Sequence, residues 1–179
     1  EEVIKKSEIR FKSLFEDSPF PLWEEDFSEV KNYLEKLNLI NERPETVSLY
    51  FKTHPDVVDK CISLLKIIDV NAMCLKLHKV KTKEELIIGL SQFIDEKSIS
   101  AVITQLIAIT QGEKKLILDT KIKNSKGEYR DINLRWNVIH GYEKTFERII
   151  VSTEDITDRK SSENNILKSK QRTESLINN

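Results

Sequence analysis

Apolar and polar residues alternate strictly in the stretch 132–138, where the apolar positions are Ile132, Leu134, Trp136 and Val138. This pattern is typical of an antiparallel strand with one face buried and the other in water. Residues 116–122 alternate in the same way, and the polar segment 124–127 predicts a turn between the two strands. Consecutive apolar residues within 148–153 predict a third strand, in a central position.

Helical spacing of apolar residues dominates the first third of the chain. A helix is predicted over residues 1–17, followed by a short strand at 20–23. The stretch 27–64 predicts more helices, two of which begin at Pro44 and Pro55 because proline fits the first helical turn. We expect this stretch to form either a layer on the outside of the fold or a lid or partner surface.

The middle of the chain predicts one strand and three helices. The strand is expected at 65–71 and a short helix at 72–78. Thr82 and Glu85 have the spacing of a capping box at the start of the next helix. A long helix with an apolar face is predicted after Asp95.

The segment 155–160 reads Asp-Ile-Thr-Asp-Arg-Lys. It resembles the D-I-T-x-R-K junction that closes PAS sensory domains and begins their outgoing helix. Residues 10–23 read RFKSLFEDSPFPLW and resemble the start of such a domain, and residues 82–86 (TKEEL) resemble its [ST]-x-E-E-L step. The resemblance covers about residues 8–28 and 65–179.

This resemblance implies an α+β fold with a five-stranded antiparallel PAS-like sheet in the order 2-1-5-4-3 and helices on one face. It also implies flanking helices at both ends. We expect an N-terminal flanking helix at 1–18, a PAS domain at 19–158 that contains the helical insertion 27–64, and a C-terminal signalling helix at 159–179.

The implied function is that of a non-catalytic sensory module in a multidomain signal-transduction protein, most simply a sensor histidine kinase. A small-molecule cavity beneath the long helix would be lined by Trp23, Ile103, Leu106, Leu134, Trp136 and Ile149. The same six residues could equally fill a dry core. Asp155, Ile156 and Thr157 would relay a change in the cavity to the outgoing helix.

The alternative is a dimerisation or docking module without a ligand, built on the flanking helices. The tail has an incomplete heptad at Ile166, Leu167, Thr173, Leu176 and Ile177, so a coiled coil of the tail alone would be marginal, and a homodimer is expected through both flanking helices. Residues 10–17 are echoed at 172–179, as expected if PAS modules follow one another in tandem, so adjacent PAS or kinase domains are expected partners.

Charge and cysteine content narrow the possible partners. The 29 basic and 30 acidic residues give a net charge of −1, which offers no field to nucleic acid or a lipid surface. No apolar run is long enough to cross a bilayer.

Cys61 and Cys74 lack metal or disulfide spacing, so we expect reduced, buried thiols and a cytoplasmic location.

The sequence predicts no catalytic, metal or cofactor site. Only 4 glycines are present and none are close together, which excludes a phosphate-binding loop. Haem would need His78, but all three histidines are expected at surface or capping positions, and the surroundings of Cys74 do not match the reactive cysteine motif of flavin-binding members. The carboxylates at 24–26 are expected to be solvated.

Overall fold

The computed structural model describes residues 2–177 and has an α+β architecture. Its elements are α1 (Glu2–Glu16), β1 (Leu22–Asp26), α2 (Ser28–Lys36), α3 (Pro44–Thr53), α4 (Pro55–Leu64), β2 (Lys66–Val70), α5 (Ala72–His78), α6 (Lys83–Phe93), α7 (Ile99–Thr110), β3 (Lys115–Lys123), β4 (Tyr129–Val138), β5 (Ile149–Asp155) and α8 (Thr157–Ile177). Residue 1 and residues 178–179, the outer ends of the predicted flanking helices, lie outside the described residues.

The five strands form one antiparallel sheet in the order β2-β1-β5-β4-β3, which confirms the predicted order. Strand β5 is central because it pairs with β1 on one side and β4 on the other. Val151 is opposite Trp23 on β1 and Trp136 on β4. The apolar residues of β5 alternate between buried positions on the helix-facing side and half-buried positions on the other face of this central strand.

The two faces of the sheet differ as the alternation in β4 predicts. Ile132 and Trp136 are buried, with 1% and 0% of their surface exposed. On the opposite face, Asn133 donates a hydrogen bond from Nδ2 to Asp119 (2.9 Å) and accepts one from Arg135 Nε (3.0 Å). The helices consequently cover the apolar face and leave the polar face to water.

The helical insertion, α2 to α4, belongs to the core rather than to an outer layer. Its helices α3 and α4 begin at Pro44 and Pro55, as predicted. Val30, Val47 and Phe51 are fully buried in the same apolar cluster as the sheet residues. The insertion therefore stabilises the fold through burial of apolar surface.

Predicted caps begin two of the helices. The side-chain oxygen of Asn71 accepts a hydrogen bond from the Cys74 backbone N–H (3.2 Å) at the start of α5. Thr82 accepts one from the Glu85 N–H (3.1 Å), while the Glu85 carboxylate accepts from the Lys81 N–H (2.9 Å). The capping box thus satisfies backbone donors at the start of α6.

The long helix α7 begins later than its predicted cap. Asp95 closes a short turn instead, in which its carbonyl accepts hydrogen bonds from the N–H groups of Ser98 (3.0 Å) and Ile99 (2.9 Å). The helix runs from Ile99 to Thr110, and Gly112 follows with a φ of +66°. A left-handed glycine is a common way to end a helix, as the sequence predicts here.

The flanking helices differ in how they attach to the rest of the chain. Helix α1 is mostly exposed and buries Phe15 near its end, whereas α8 buries no residue between Thr157 and Ile177. No helix within residues 2–177 is both long enough and apolar enough to span a membrane.

Candidate functional site

A cavity of about 140 Å³ lies between the apolar face of the sheet and the helices α4 to α7. Strands β1, β3, β4 and β5 form its floor. Its wall consists of Trp23, Glu25, Phe27, Cys61, Ile62, Leu65, His78, Leu90, Phe93, Ile94, Ser98, Ala101, Val102, Gln105, Leu106, Thr120, Ile122, Ile132, Leu134, Val151 and Thr153. An engineered apolar cavity of similar size, roughly 150 Å³, binds benzene, so this volume suits a small organic molecule.

Three of the six predicted cavity residues, Trp23, Leu106 and Leu134, lie in this wall. The other three, Ile103, Trp136 and Ile149, lie in or against the apolar core but outside the wall. On α7, the wall positions 102 and 106 are one turn apart, so position 103 is rotated away from the cavity.

Trp136 closes the core beside the cavity. Its ring lies 6.0 Å from that of Phe27 and 5.9 Å from that of Phe146, measured between centroids. Ile149 pairs with Glu25 across the β1–β5 ladder and is fully buried. Periodicity assigns these residues to the correct face of the sheet but does not say where along each strand the cavity lies.

Glu25 is a wall residue that the sequence analysis misassigned to solvent. Side chains on β1 alternate, so Glu25 shares the helix-facing side with Trp23 and Phe27 and is 8% exposed. Burial alone raises the pKa of its carboxyl group from 4.5 to about 8. An uncompensated buried carboxyl group of this kind is characteristic of functional sites.

Its neighbour Glu24 is also buried rather than solvated, but on the opposite face of the sheet. Glu24 is 6% exposed, and its Oε1 lies 3.3 Å from Arg148 Nε. The expectation of solvated carboxylates fails because β1 is flanked by β2 and β5, so its end is covered on both sides.

His78 is the second residue that the sequence analysis misplaced, because it was expected at the surface or in a cap. It ends α5 with 4% of its surface exposed and packs edge-on against Trp23, with ring centroids 5.3 Å apart. Its ring also lies 5.2 Å from that of Phe93. Burial lowers the pKa of His78 to about 4, so the imidazole is neutral at physiological pH.

The backbone after His78 explains its inward position. Lys79 takes the left-handed conformation (φ 55°), which turns the chain at the end of α5. Ser125 holds this turn, since its N–H donates to the His78 carbonyl (3.0 Å) and its hydroxyl donates to the Lys79 carbonyl (2.8 Å). The turn therefore forms without the glycine that usually favours this conformation.

Several buried polar atoms in the cavity wall have no hydrogen-bond partner among the described residues. They are Trp23 Nε1, His78 Nδ1, Thr120 Oγ1 and Thr153 Oγ1. Buried polar groups are nearly always hydrogen-bonded, so these atoms are the natural contacts for a ligand with polar groups. The cavity thus combines apolar walls with a few polar contacts, as small-molecule sites do.

The two cysteines are buried and free, as expected of reduced thiols. Cys61 lies in the cavity wall, while the Cys74 thiol donates a hydrogen bond to the Leu22 carbonyl (3.0 Å). Burial raises the pKa of both thiols to about 12, so neither is a thiolate at neutral pH. Residues 2–177 contain no group of three or more His, Cys, Asp or Glu side chains arranged to hold a metal ion.

The junction after β5 is fixed to the neighbouring strand β4. The N–H of Ile156 donates to the Asp131 carbonyl (2.8 Å), and the Asp131 N–H donates to Thr157 Oγ1 (3.0 Å). Thr157 in turn donates from Oγ1 to Asp155 Oδ1 (2.6 Å), and Ile156 is 2% exposed. The three predicted relay residues therefore connect the central strand to the first turn of α8.

A wider groove of about 630 Å³ lies outside the cavity, between α4, α6 and the turn before α7. Ile62, Leu65, Leu90 and Ile94 line both the groove and the cavity. These four apolar side chains therefore lie between the cavity and the groove.

No protein-family model and no curated protein matches the chain, but solved structures match most of it. The PAS domain of an HTR-like protein from Haloarcula marismortui is 14% identical with a TM-score of 0.51, over 87% of this chain and 96% of that chain. A LOV protein from Rhodobacter sphaeroides is 14% identical with a TM-score of 0.53, over 84% and 68%. The LOV domain of a blue-light activated histidine kinase from Erythrobacter litoralis is 12% identical with a TM-score of 0.51, over 78% and 98%.

Proposed function

From the PAS fold of this chain, we propose that it is a sensory module that binds a small molecule in the cavity and reports the binding through α8. The module itself is not an enzyme. We propose a ligand other than haem or flavin, which the benzene-sized volume of the cavity supports.

The observation that supports this proposal most directly is that β5 runs from the cavity wall to the junction. This strand places Val151 and Thr153 in the cavity wall and reaches the junction residue Asp155 two positions later. A ligand that displaces Thr153 therefore acts on a backbone segment about 7 Å from the junction residue Asp155.

We propose that the junction has two arrangements, the one bonded to Asp131 that the structure shows and one released from it. A ligand shifts such an equilibrium only if it binds one arrangement more tightly than the other. Thr153 Oγ1 lacks a partner in the described residues, so a ligand that bonds to it changes the position of β5 relative to β4. Asp155, Ile156 and Thr157 then transmit this change to α8.

Filling the cavity by mutation tests the proposal without knowledge of the ligand. Ala101→Leu adds bulk at a wall position of α7, and Ser100→Leu is the matched control at the neighbouring exposed position. We expect Ala101→Leu to change amide hydrogen exchange in residues 156–165, and Ser100→Leu to leave it unchanged. Unaltered exchange at the junction in a folded Ala101→Leu variant would contradict the relay.

We propose that the parent protein is a cytoplasmic sensor histidine kinase of a two-component system. In it, this module would be attached to a kinase domain or to a second PAS domain. The similarity to the LOV domain of a histidine kinase supports this proposal at the level of the fold. The full-length coding sequence checks it, since a kinase core or another sensory domain is expected in the same reading frame.

Dimerisation through the flanking helices is the second candidate function, supported by the apolar side chains that they expose. Each of these is at least 50% exposed: Val3, Ile4, Ile9, Phe11 and Leu14 on α1, and Ile166, Leu167, Leu176 and Ile177 on α8. Light scattering should give the mass of a dimer for the chain and for Asn164→Lys, and that of a monomer for the double variant Ile166→Lys, Leu167→Lys. A monomeric unsubstituted chain would rule this function out.

A further inference from the structure

The cavity and the groove outside it carry acidic residues but no basic ones. Among the described residues that line them, Glu25 lies in the cavity and Asp59, Asp95 and Glu96 lie in the groove, and neither wall contains Lys or Arg. A site of this composition repels anions and favours cations.

Among the described residues of the cavity wall, Glu25 is the only acidic one. It lies on β1 opposite Ile149 of β5 and Ile67 of β2, and it shares a face with Trp23 and Phe27. Its buried carboxyl group has no ion-pair partner within residues 2–177, because the nearby basic residue Arg148 pairs with Glu24 on the other face. A buried carboxylate needs a counter-charge, and a cationic ligand would supply it.

The groove would concentrate cations at the mouth of the cavity. Asp59 and Glu96 are exposed and form no ion pair within the described residues, whereas Asp95 is 3.2 Å from Lys123 and accepts a hydrogen bond from the Tyr129 hydroxyl (2.5 Å). Two of its three carboxylates are therefore uncompensated, and such a surface raises the local concentration of small cations.

We propose that the cavity binds a small organic cation, in which a primary ammonium group pairs with Glu25 and an apolar body of about the size of a benzene ring fills the rest. This inference rests on the proposed function, because it names the ligand class of the same cavity. The aromatic rings of Trp23, Phe27 and Phe93 in the wall suit both the apolar body and the positive charge.

Binding of such a ligand releases a proton. The carboxyl group of Glu25 is mostly protonated at neutral pH, since its pKa is raised to about 8. To pair with an ammonium ion it must lose this proton: the O–H bond breaks, the proton passes to solvent, and the carboxylate accepts hydrogen bonds from the N–H groups. Affinity should therefore rise as the pH increases toward 8.

Of the described titratable residues in the cavity wall, Glu25 is the one whose pKa lies in this pH range. Burial lowers the pKa of His78 to about 4 and raises those of Cys61 and Cys74 to about 12. Lys83 lies beyond Cys74 and forms ion pairs with Glu16 and Asp69, outside the cavity wall. Proton release near neutral pH therefore reports on Glu25.

Calorimetry of the full chain with three probes of similar shape tests the proposal. The probes are benzylamine (cationic), benzyl alcohol (neutral) and benzoate (anionic). At pH 7, in two buffers with different ionisation heats, we expect benzylamine to bind with release of about 0.9 proton. Benzyl alcohol should bind roughly 10- to 100-fold more weakly, and benzoate should not bind.

Two charge-removing variants make the test specific. Glu25→Gln should lower the affinity for benzylamine by a factor of about 10 to 100 and abolish proton release, with no loss of affinity for benzyl alcohol. Glu24→Gln removes the adjacent carboxylate on the opposite face and should change neither quantity.

The results separate failure of the ligand class from failure of the sensory function. Benzyl alcohol binding as tightly as benzylamine, or unaltered benzylamine binding by Glu25→Gln, would overturn the cation proposal and leave a ligand-binding cavity. If no probe binds while Ala101→Leu still alters exchange at the junction, the cation proposal alone is overturned. If no probe binds and Ala101→Leu also leaves amide exchange at the junction unchanged, the sensory function is overturned as well.

Discussion

Glu25 should make the fold less stable as the pH rises, and replacing it with Gln should remove this effect. The unfolded chain exposes the carboxyl group with its ordinary pKa of 4.5, whereas burial raises the pKa in the folded protein to about 8. Between these two values the folded state holds a proton that the unfolded state has lost. Stability is therefore lost as the pH rises through this window, which is the reverse of the usual behaviour of a carboxylate.

The size of the effect follows from the two pKa values of Glu25. Each pKa unit corresponds to about 1.36 kcal/mol, so the full window from pH 4.5 to about 8 amounts to an upper limit of about 5 kcal/mol. Glu25 is only 8% exposed, which leaves little screening by solvent. We expect Glu25→Gln to gain several kcal/mol relative to the unsubstituted chain between pH 5 and pH 8.

Urea unfolding at pH 5, 6.5 and 8 measures this gain. All other titratable groups are present in both Glu25→Gln and the unsubstituted chain, so their contributions to the pH dependence cancel in the difference. Glu24→Gln is the control for loss of a nearby carboxylate. A buried amide changes the free energy of unfolding by an amount that does not depend on pH. The quantity to follow is therefore how the difference in free energy of unfolding between Glu25→Gln and the unsubstituted chain changes with pH. A difference in free energy of unfolding that is the same at pH 5 and pH 8 would refute the reasoning.

Four other predictions follow from the same structure. His78→Phe should reduce the loss of stability on acidification from pH 6.5 to pH 4 by about 3 kcal/mol in urea unfolding, since the buried imidazole has a pKa of about 4 and the unfolded chain takes up the proton first. Asn71→Ala should lower the free energy of unfolding by roughly 3 kcal/mol, because its amide group forms four hydrogen bonds to backbone groups in α1, β1, α5 and the segment before β1. Thr157→Val should cost about 1 kcal/mol and increase amide exchange in the first turn of α8, which an unchanged exchange pattern would contradict. Cys74 should react with a thiol reagent only as fast as the protein unfolds, because its thiol lies outside the cavity wall and is buried with a pKa near 12.

The sheet could be predicted from the sequence because the alternation of apolar and polar residues in β3 and β4 is a local signal. Ile132 and Trp136 face the core as their period of two predicts. The consecutive apolar residues of β5 indicate a central strand, but the complete strand order is not encoded locally and is predicted only by the resemblance to PAS domains. Local pattern and family resemblance therefore supplied different parts of the fold.

The residues that line the cavity could be predicted only in part from the sequence. Glu25 is the middle of three consecutive acidic residues, a run that normally indicates solvent, and it is buried because the helices α4 to α7 cover the face of the sheet on which it lies. His78 gives no helical signal of burial either, because the turn that directs it inward depends on Ser125, far along the chain. Both side chains are placed by long-range contacts, which periodicity does not report.

Asn71 gives the module a second route for mechanical input. Its amide group bonds to the Phe15 carbonyl at the end of α1 and to the Leu22 N–H at the start of β1, the strand that carries Trp23 and Glu25. In the proposed sensory function, torque on α1 would reach the cavity through Asn71 and β1. If such a twist alters ligand affinity, thermodynamic reciprocity requires the ligand to oppose the twist by the same free energy.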